Sequence, residues 1–269
     1  MGNTIDMNEM EPVARPLLPI FFVLDTSGSM TGQPISMLNH AMEEVINIVG
    51  NFAASNSDAL LKIGVLQFSS GAKWIQPKGL EEFGDFIYNP LSAGGLTDMG
   101  AALNELDEKL SRKSFLVSTT GRCKPIIIFM TDGQPTDNWE AALKNINENN
   151  KWYQNSIKIG FAVGDQANTA ILSQIVGNSE AVIQTSDLAT FNILLQKVAI
   201  NSAMIGSKSH IAGDAPSGEE IVRATIDEAG KAEEAKTAGE MGVTVTSPVV
   251  DPAAPGVTTP DPWGTDDWD

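Results

Sequence analysis

Four apolar runs rich in β-formers constrain this chain more than anything else in it: Leu17–Leu24, Leu61–Phe68, Pro125–Met130 and Ile157–Val163. None of them alternates with polar residues, so each reads as a strand buried on both faces. Helical spacing separates the runs. After Pro34, which suits a first helical turn, Ile35, Leu38, Met42, Val45, Val49 and Phe52 recur at three- and four-residue steps. Shorter helical patterns cover Met99–Leu110, Trp139–Ile146 and Thr169–Val176. A last one carries Leu188, Phe191, Leu195, Val198 and Ile205 behind Asp187 as N-cap. Buried strands alternating with amphipathic helices predict an α/β fold: a doubly wound, mainly parallel sheet flanked by helices. Lys73–Gln76 adds an antiparallel edge strand to that expectation.

Composition shifts after Ile205, and a domain over residues 16–206 is expected between an extension (1–15) and a low-complexity tail (207–269). Ser217–Met241 is rich in Ala, Glu and Lys, and its apolar face is too narrow to predict firm docking. Val243–Pro262 reads as an extended linker, and the sequence closes on DPWGTDDWD. A mobile, disordered acidic tail is therefore expected. Its Trp263 and Trp268 suggest a docking motif, Thr258, Thr259 and Thr265 suggest phosphate acceptors, and a tail Asp suggests an internal blocker of the site described next.

Charge narrows the partners. Asp and Glu number 34 against 17 Lys and Arg, a net charge of −17, which repels nucleic acid and anionic lipid. The single Cys123 excludes an internal disulfide, and the acidic start MGNTIDMNEMEPVARP has no signal-peptide h-region. A cytoplasmic monomer is the expectation.

Three polar segments follow predicted strands or open a predicted helix: Asp25-Thr-Ser-Gly-Ser29, Gly94-Gly-Leu-Thr97-Asp98 and Thr131-Asp132-Gly133. Loops at the carboxyl ends of such strands gather in one crevice, where ligands bind. There Ser27, Ser29 and Thr97 would offer hydroxyls, and Asp25 and Asp132 carboxylates. Hard oxygens without His or Cys favour Mg²⁺, Mn²⁺ or Ca²⁺. Turn-forming and N-capping roles for the same residues are the structural alternative. Asp98 and Asp137 read as cap or surface residues, His40 and His210 as surface residues, and Cys123 as an incidental thiol.

This three-part set resembles the metal-ion-dependent adhesion site (MIDAS) of von Willebrand factor A domains, and the likeness spans about residues 16–205. The resemblance implies direct metal binding by Ser27, Ser29 and Thr97, with Asp25 and Asp132 acting mostly through water. It implies Mg²⁺ or Mn²⁺ as the ion and a partner Asp or Glu as the completing ligand. Leu96 departs from the pattern, since many members place Thr directly after the glycines. DTSGSMTGQPISMLNHAM, KPIIIFMTDGQPTDNW and KIGFAVGDQANTAILSQI are similar to bacterial TerY-like proteins associated with tellurite resistance. That likeness implies a signalling adaptor beside a serine/threonine kinase and a PP2C-type phosphatase, in a stress or phage response.

Two other readings compete: a partner of an AAA+ ATPase, and a Mg²⁺-dependent phosphohydrolase of the haloacid-dehalogenase kind. The enzyme would need an acid two residues after its nucleophilic Asp, where this chain has Ser27, a poor proton donor at neutral pH. No phosphate-binding glycine motif occurs in a strand–turn–helix setting. A non-enzymatic role is expected.

Overall fold

The computed structural model describes residues 15–164, 167–212 and 217–228. Its centre is β1 (Leu17–Asp25), all nine residues of which are buried. β1 pairs in parallel with β2 (Leu60–Ser69) on one side and β5 (Ile126–Thr131) on the other. β6 (Ile157–Val163) and β7 (Val182–Thr185) continue the parallel sheet beyond β5. Two short strands, β3 (Gly71–Trp74) and β4 (Glu81–Glu82), run antiparallel along the outer edge of β2. Between them Gln76 Oε1 accepts the Val65 N–H at 2.9 Å, and Ile75 donates to the Val65 carbonyl at 2.9 Å. The order β3-β2-β1-β5-β6-β7 is the doubly wound, mainly parallel sheet expected.

Alternate side chains of β1 enter two cores. Leu18, Ile20, Phe22 and Leu24 join α1 (Gln33–Ser55) and α6 (Leu188–Ala212) on one face. Phe21 and Val23 join α2 (Met99–Lys109), α3 (Trp139–Asn149), the short α4 (Lys151–Asn155) and α5 (Thr169–Val176) on the other. Helices cover both faces, so the inner strands must be apolar throughout. β1 feeds β2 on one side while the later strands build out on the other, and the sheet's switch point falls between β1 and β5.

The expected boundary near residue 206 falls inside α6. Residues 218–228 form a further helix, α7, that docks where the sequence predicted none to hold firmly. Ile221, Val222 and Thr225 are buried, and Asn201 of α6 donates to Thr225 Oγ1 at 3.3 Å. Close approach explains how so narrow an apolar face suffices: a Cβ at Gly218 would lie 2.2 Å from the Lys158 carbonyl of β6. Ser217 and Glu220 close a reciprocal capping box at the start of the helix.

Within α6, the stretch Leu188–Lys208 has the length and apolarity of a membrane span, with a mean hydropathy of 1.3. Here that apolarity serves packing, since Phe191, Leu195, Val198, Ala199 and Ala203 are buried against α1 and the sheet. The expectations for residues 1–14 and for the tail from 229 onward lie outside the described residues.

Candidate metal centre

At the carboxyl end of β1 the apolar run stops and the chain turns over Asp25-Thr-Ser-Gly-Ser29. Thr26 anchors the turn to β2, its N–H and hydroxyl both donating to the Phe68 carbonyl, at 2.8 and 3.0 Å. The second segment is laced to the first: Gly94 N–H donates to the Thr26 carbonyl at 2.8 Å and Gly28 N–H to the Gly95 carbonyl at 3.1 Å. Two glycines make this approach possible. A Cβ on Gly28 would sit 3.2 Å from the Gly95 carbonyl, and Gly95 has φ +87° with Ser70 Oγ 2.7 Å from its Cβ position. The third segment joins through Thr136, whose hydroxyl accepts the Thr97 N–H at 3.0 Å and whose N–H donates to the Thr97 carbonyl at 2.9 Å.

The five side chains singled out from sequence meet at this junction. Asp25 is fully buried, and its Oδ1 accepts the Ser27 N–H at 2.8 Å. Ser27 and Ser29 hydroxyls lie 3.0 Å apart, and Ser29 Oγ donates to Asp132 Oδ1 at 2.7 Å. Gly133 fixes the convergence. A Cβ there would lie 3.2 Å from Ser29 Oγ, 3.5 Å from Asp25 Oδ2 and 3.5 Å from Thr97 Cγ2. Among the described residues nothing hydrogen-bonds the Thr97 hydroxyl, and the Thr97 atom beside the Gly133 cradle is its methyl carbon.

One contributor was missed in the sequence. Thr131, the last residue of β5, donates its hydroxyl to Asp25 Oδ2 at 2.5 Å and accepts the Gly133 N–H at 3.1 Å. Its signal was a hydroxyl closing an otherwise apolar strand, beside Asp132. Asp98 and Asp137 serve other groups. Asp98 accepts from Gly71 N–H at 2.8 Å and Thr136 Oγ1 at 3.1 Å. Asp137 accepts the Gly100 and Ala101 N–H groups, both at 2.9 Å, and so caps α2 from a distant segment. His40 is exposed on α1.

The electrostatics invite a cation. Burial raises the Asp25 pKa above the usual carboxylate range; hydrogen bonds from Ser27 and Thr131 oppose the shift, and the Asp132 charge adds to it. Burial also raises Asp132, against the hydrogen bond from Ser29. The three segments contain no Lys, Arg, His or Cys. Among the described residues no group of three or more His, Cys, Asp or Glu side chains gathers anywhere. The donor set is hydroxyl and carboxylate oxygen alone, which fits a hard divalent ion.

The family profile of the von Willebrand factor type A domain matches residues 20–197. No match is found among curated proteins. Among solved structures, proximal thread matrix protein 1 from the mussel byssus, with a zinc-occupied MIDAS motif, is 20% identical with a TM-score of 0.52 over 71% of this chain and 48% of its own. A von Willebrand factor type A protein from Catenulispora acidiphila is 18% identical, with a TM-score of 0.51 over 70% of this chain and 43% of its own. The pilus adhesin SpaC from Lactobacillus rhamnosus GG, in its open conformation, is 14% identical, with a TM-score of 0.54 over 69% and 30%. This chain thus spans less than half the length of each.

Proposed function

This chain belongs to the von Willebrand factor type A family, and from that premise we propose that it is a non-enzymatic adaptor that grips a protein partner through a divalent ion. Ser27, Ser29 and Thr97 would hold the ion directly, and Asp25 and Asp132 would hold it mostly through water. The observation that carries this reading is the cradle at Gly133, where Ser29 Oγ and Asp25 Oδ2 lie within 3.5 Å of one point that the Thr97 methyl also adjoins. Three neutral hydroxyls quench little of an ion's charge, so a bound ion would keep its attraction for an Asp or Glu of the partner. One such contact, shielded from water, can dominate an otherwise modest interface.

Mg²⁺ or Mn²⁺ suits the donors best. The mussel protein's MIDAS motif holds zinc, but the oxygen-only set here lacks the His and Cys ligands that usually select that metal. The same donor set speaks against hydrolysis. Ser27 stands where a phosphohydrolase needs its acid, and the three loops carry no lysine. From the TerY-like resemblance we place the adaptor in the bacterial cytoplasm, beside a serine/threonine kinase and a PP2C-type phosphatase. The single thiol, Cys123, is buried, and its pKa is pushed up to about 11 by burial, so it is inert.

Calorimetric titration of Mg²⁺ and Mn²⁺ into the full chain tests the reading. Binding should vanish in the Ser27→Ala/Ser29→Ala double variant while circular dichroism stays unchanged, because both side chains sit on a loop. Undiminished binding in that variant would remove the assignment.

A further inference from the structure

The amino-terminal end of the sheet has a character opposite to the rest of the molecule. Residues 111–125 lead into β5 and residues 150–158 lead into β6. Together they hold Arg112, Lys113, Arg122, Lys124, Lys151 and Lys158, with no Asp or Glu. In a chain of net charge −17, six of the 17 basic residues thus fall in two acid-free segments. These segments meet around a groove of about 270 Å³ lined by Arg122, Cys123, Lys124, Pro125, Lys151 and Trp152, among others. Its floor is apolar and its rim cationic. The Arg112 guanidinium lies 5.5 Å over the Trp152 ring, which adds a fourth cation beside the groove.

Internal partners do not neutralise this charge. Arg122 donates to the Leu116 and Ser118 carbonyls, which orients the guanidinium and leaves its charge uncompensated. Among the described residues Arg112, Arg122, Lys124 and Lys151 form no ion pair with an acid. Of the three acids on neighbouring α2, Glu105 accepts from Trp74, Glu108 pairs with Lys109, and Asp107 accepts from Asn145 and Asn150. Lys158 turns inward to the Tyr153 carbonyl and lies outside the rim.

We propose that this groove docks a short acidic segment of a partner protein, with an apolar or aromatic side chain on Trp152 and Pro125 and carboxylates on Lys124, Lys151 and Arg112. Charge complementarity selects that occupant. A duplex nucleic acid or an anionic bilayer would bring many more charges than four cations match, and the remaining acidic surface would repel it. A peptide with a few carboxylates is compensated locally. The groove lies at the strand ends opposite the metal crevice, about 20 Å away along β5. An adaptor needs two faces, and this one is independent of the ion.

The test is fluorescence anisotropy with the full chain and two labelled peptides, Gly-Asp-Glu-Trp-Asp-Glu-Gly and its Asn/Gln counterpart. The acidic peptide should bind and the neutral one should not. Lys124→Glu/Lys151→Glu should weaken binding at least about tenfold, and 200 mM salt should weaken it several-fold relative to 50 mM. Lys124→Gln/Lys151→Gln should lie between, which separates lost attraction from damage to the fold. Chelator and the Ser27→Ala/Ser29→Ala variant should change nothing. Absence of binding, indifference to the lysine variants, loss on chelation, or tighter binding of an oligothymidylate would each overturn the proposal.

Discussion

Two regions at the carboxyl end of the sheet use the same residue type for opposite ends. In the crevice, Asp25 accepts the Ser27 N–H and the Thr131 hydroxyl, Asp132 accepts the Ser29 hydroxyl, and Asp25 feels the charge of Asp132. At the start of α2, Asp98 accepts the Gly71 N–H and the Thr136 hydroxyl, and Asp137 accepts only backbone N–H groups, from Gly100 and Ala101. Gly100 is shaped for this role, since a Cβ there would press within 2.8 Å of Asp137 Oδ2. Backbone amides are fixed donors, so Asp137 is held in place and stitches two segments together. Hydroxyls can rotate their O–H groups away, so the carboxylates of the first pair stay available to a cation. Aspartates a few residues apart in sequence thus divide into ligand candidates and stitching.

The largest effect that could break this division is at Asp25. Asp25→Asn should cost Mg²⁺ affinity about 10- to 100-fold, as loss of an outer-shell group near a bound metal does. The same change should raise the melting temperature of the chelated protein by a few degrees, because a neutral isostere escapes the burial penalty on the charge. Calorimetry and thermal melts read both; retained affinity would dissolve the contrast.

Asp137→Ala should behave the other way. Losing two charge-assisted bonds at a helix N-terminus should cost about 2 kcal/mol of stability in urea titrations. Metal affinity, measured on the folded fraction, should move far less than in Asp25→Asn. A collapse of affinity equal to that of Asp25→Asn would place Asp137 in the site.

The smallest effect is in the pH profile of the chelated chain. Asp25 and Asp132 have folded pKa values above their unfolded ones. Their contribution to stability is therefore complete below the ordinary carboxylate pKa and is lost as pH rises through the raised values. Melting temperature should fall over that interval, and the slope should flatten in Asp25→Asn. Saturating Mg²⁺ should reverse the slope, because the ion binds the ionised forms.

What could be read from sequence follows from how strongly burial marks each part. β1, β2, β5 and β6 are covered on both faces, which forces continuous apolar runs that no other element would show. β7, with the residues Val-Ile-Gln-Thr at the sheet edge, buries only Ile183, and its four residues leave no pattern to detect. α7 buries three side chains and depends on a glycine contact between distant segments, which periodicity cannot report. The site loops were legible because their glycines and hydroxyls stand at strand ends or just before a helix. Thr131 was named in its segment but given no role, because it closes an apolar strand; Asp137 was read as a cap or surface residue, and the fold shows that the helix it caps starts 38 residues earlier, at Met99.

The patchwork beside β2 bears on how this chain behaves in a crowd. Its outer edge is closed in three pieces: two residues of β4, the Gln76 and Ile75 contacts on Val65, and four residues of β3. A ten-residue strand with that edge bare would be a template on which an extended peptide or a misfolded copy could grow. Strand addition directly onto β2 is foreclosed, and the chain is kept from polymerising with itself along that strand.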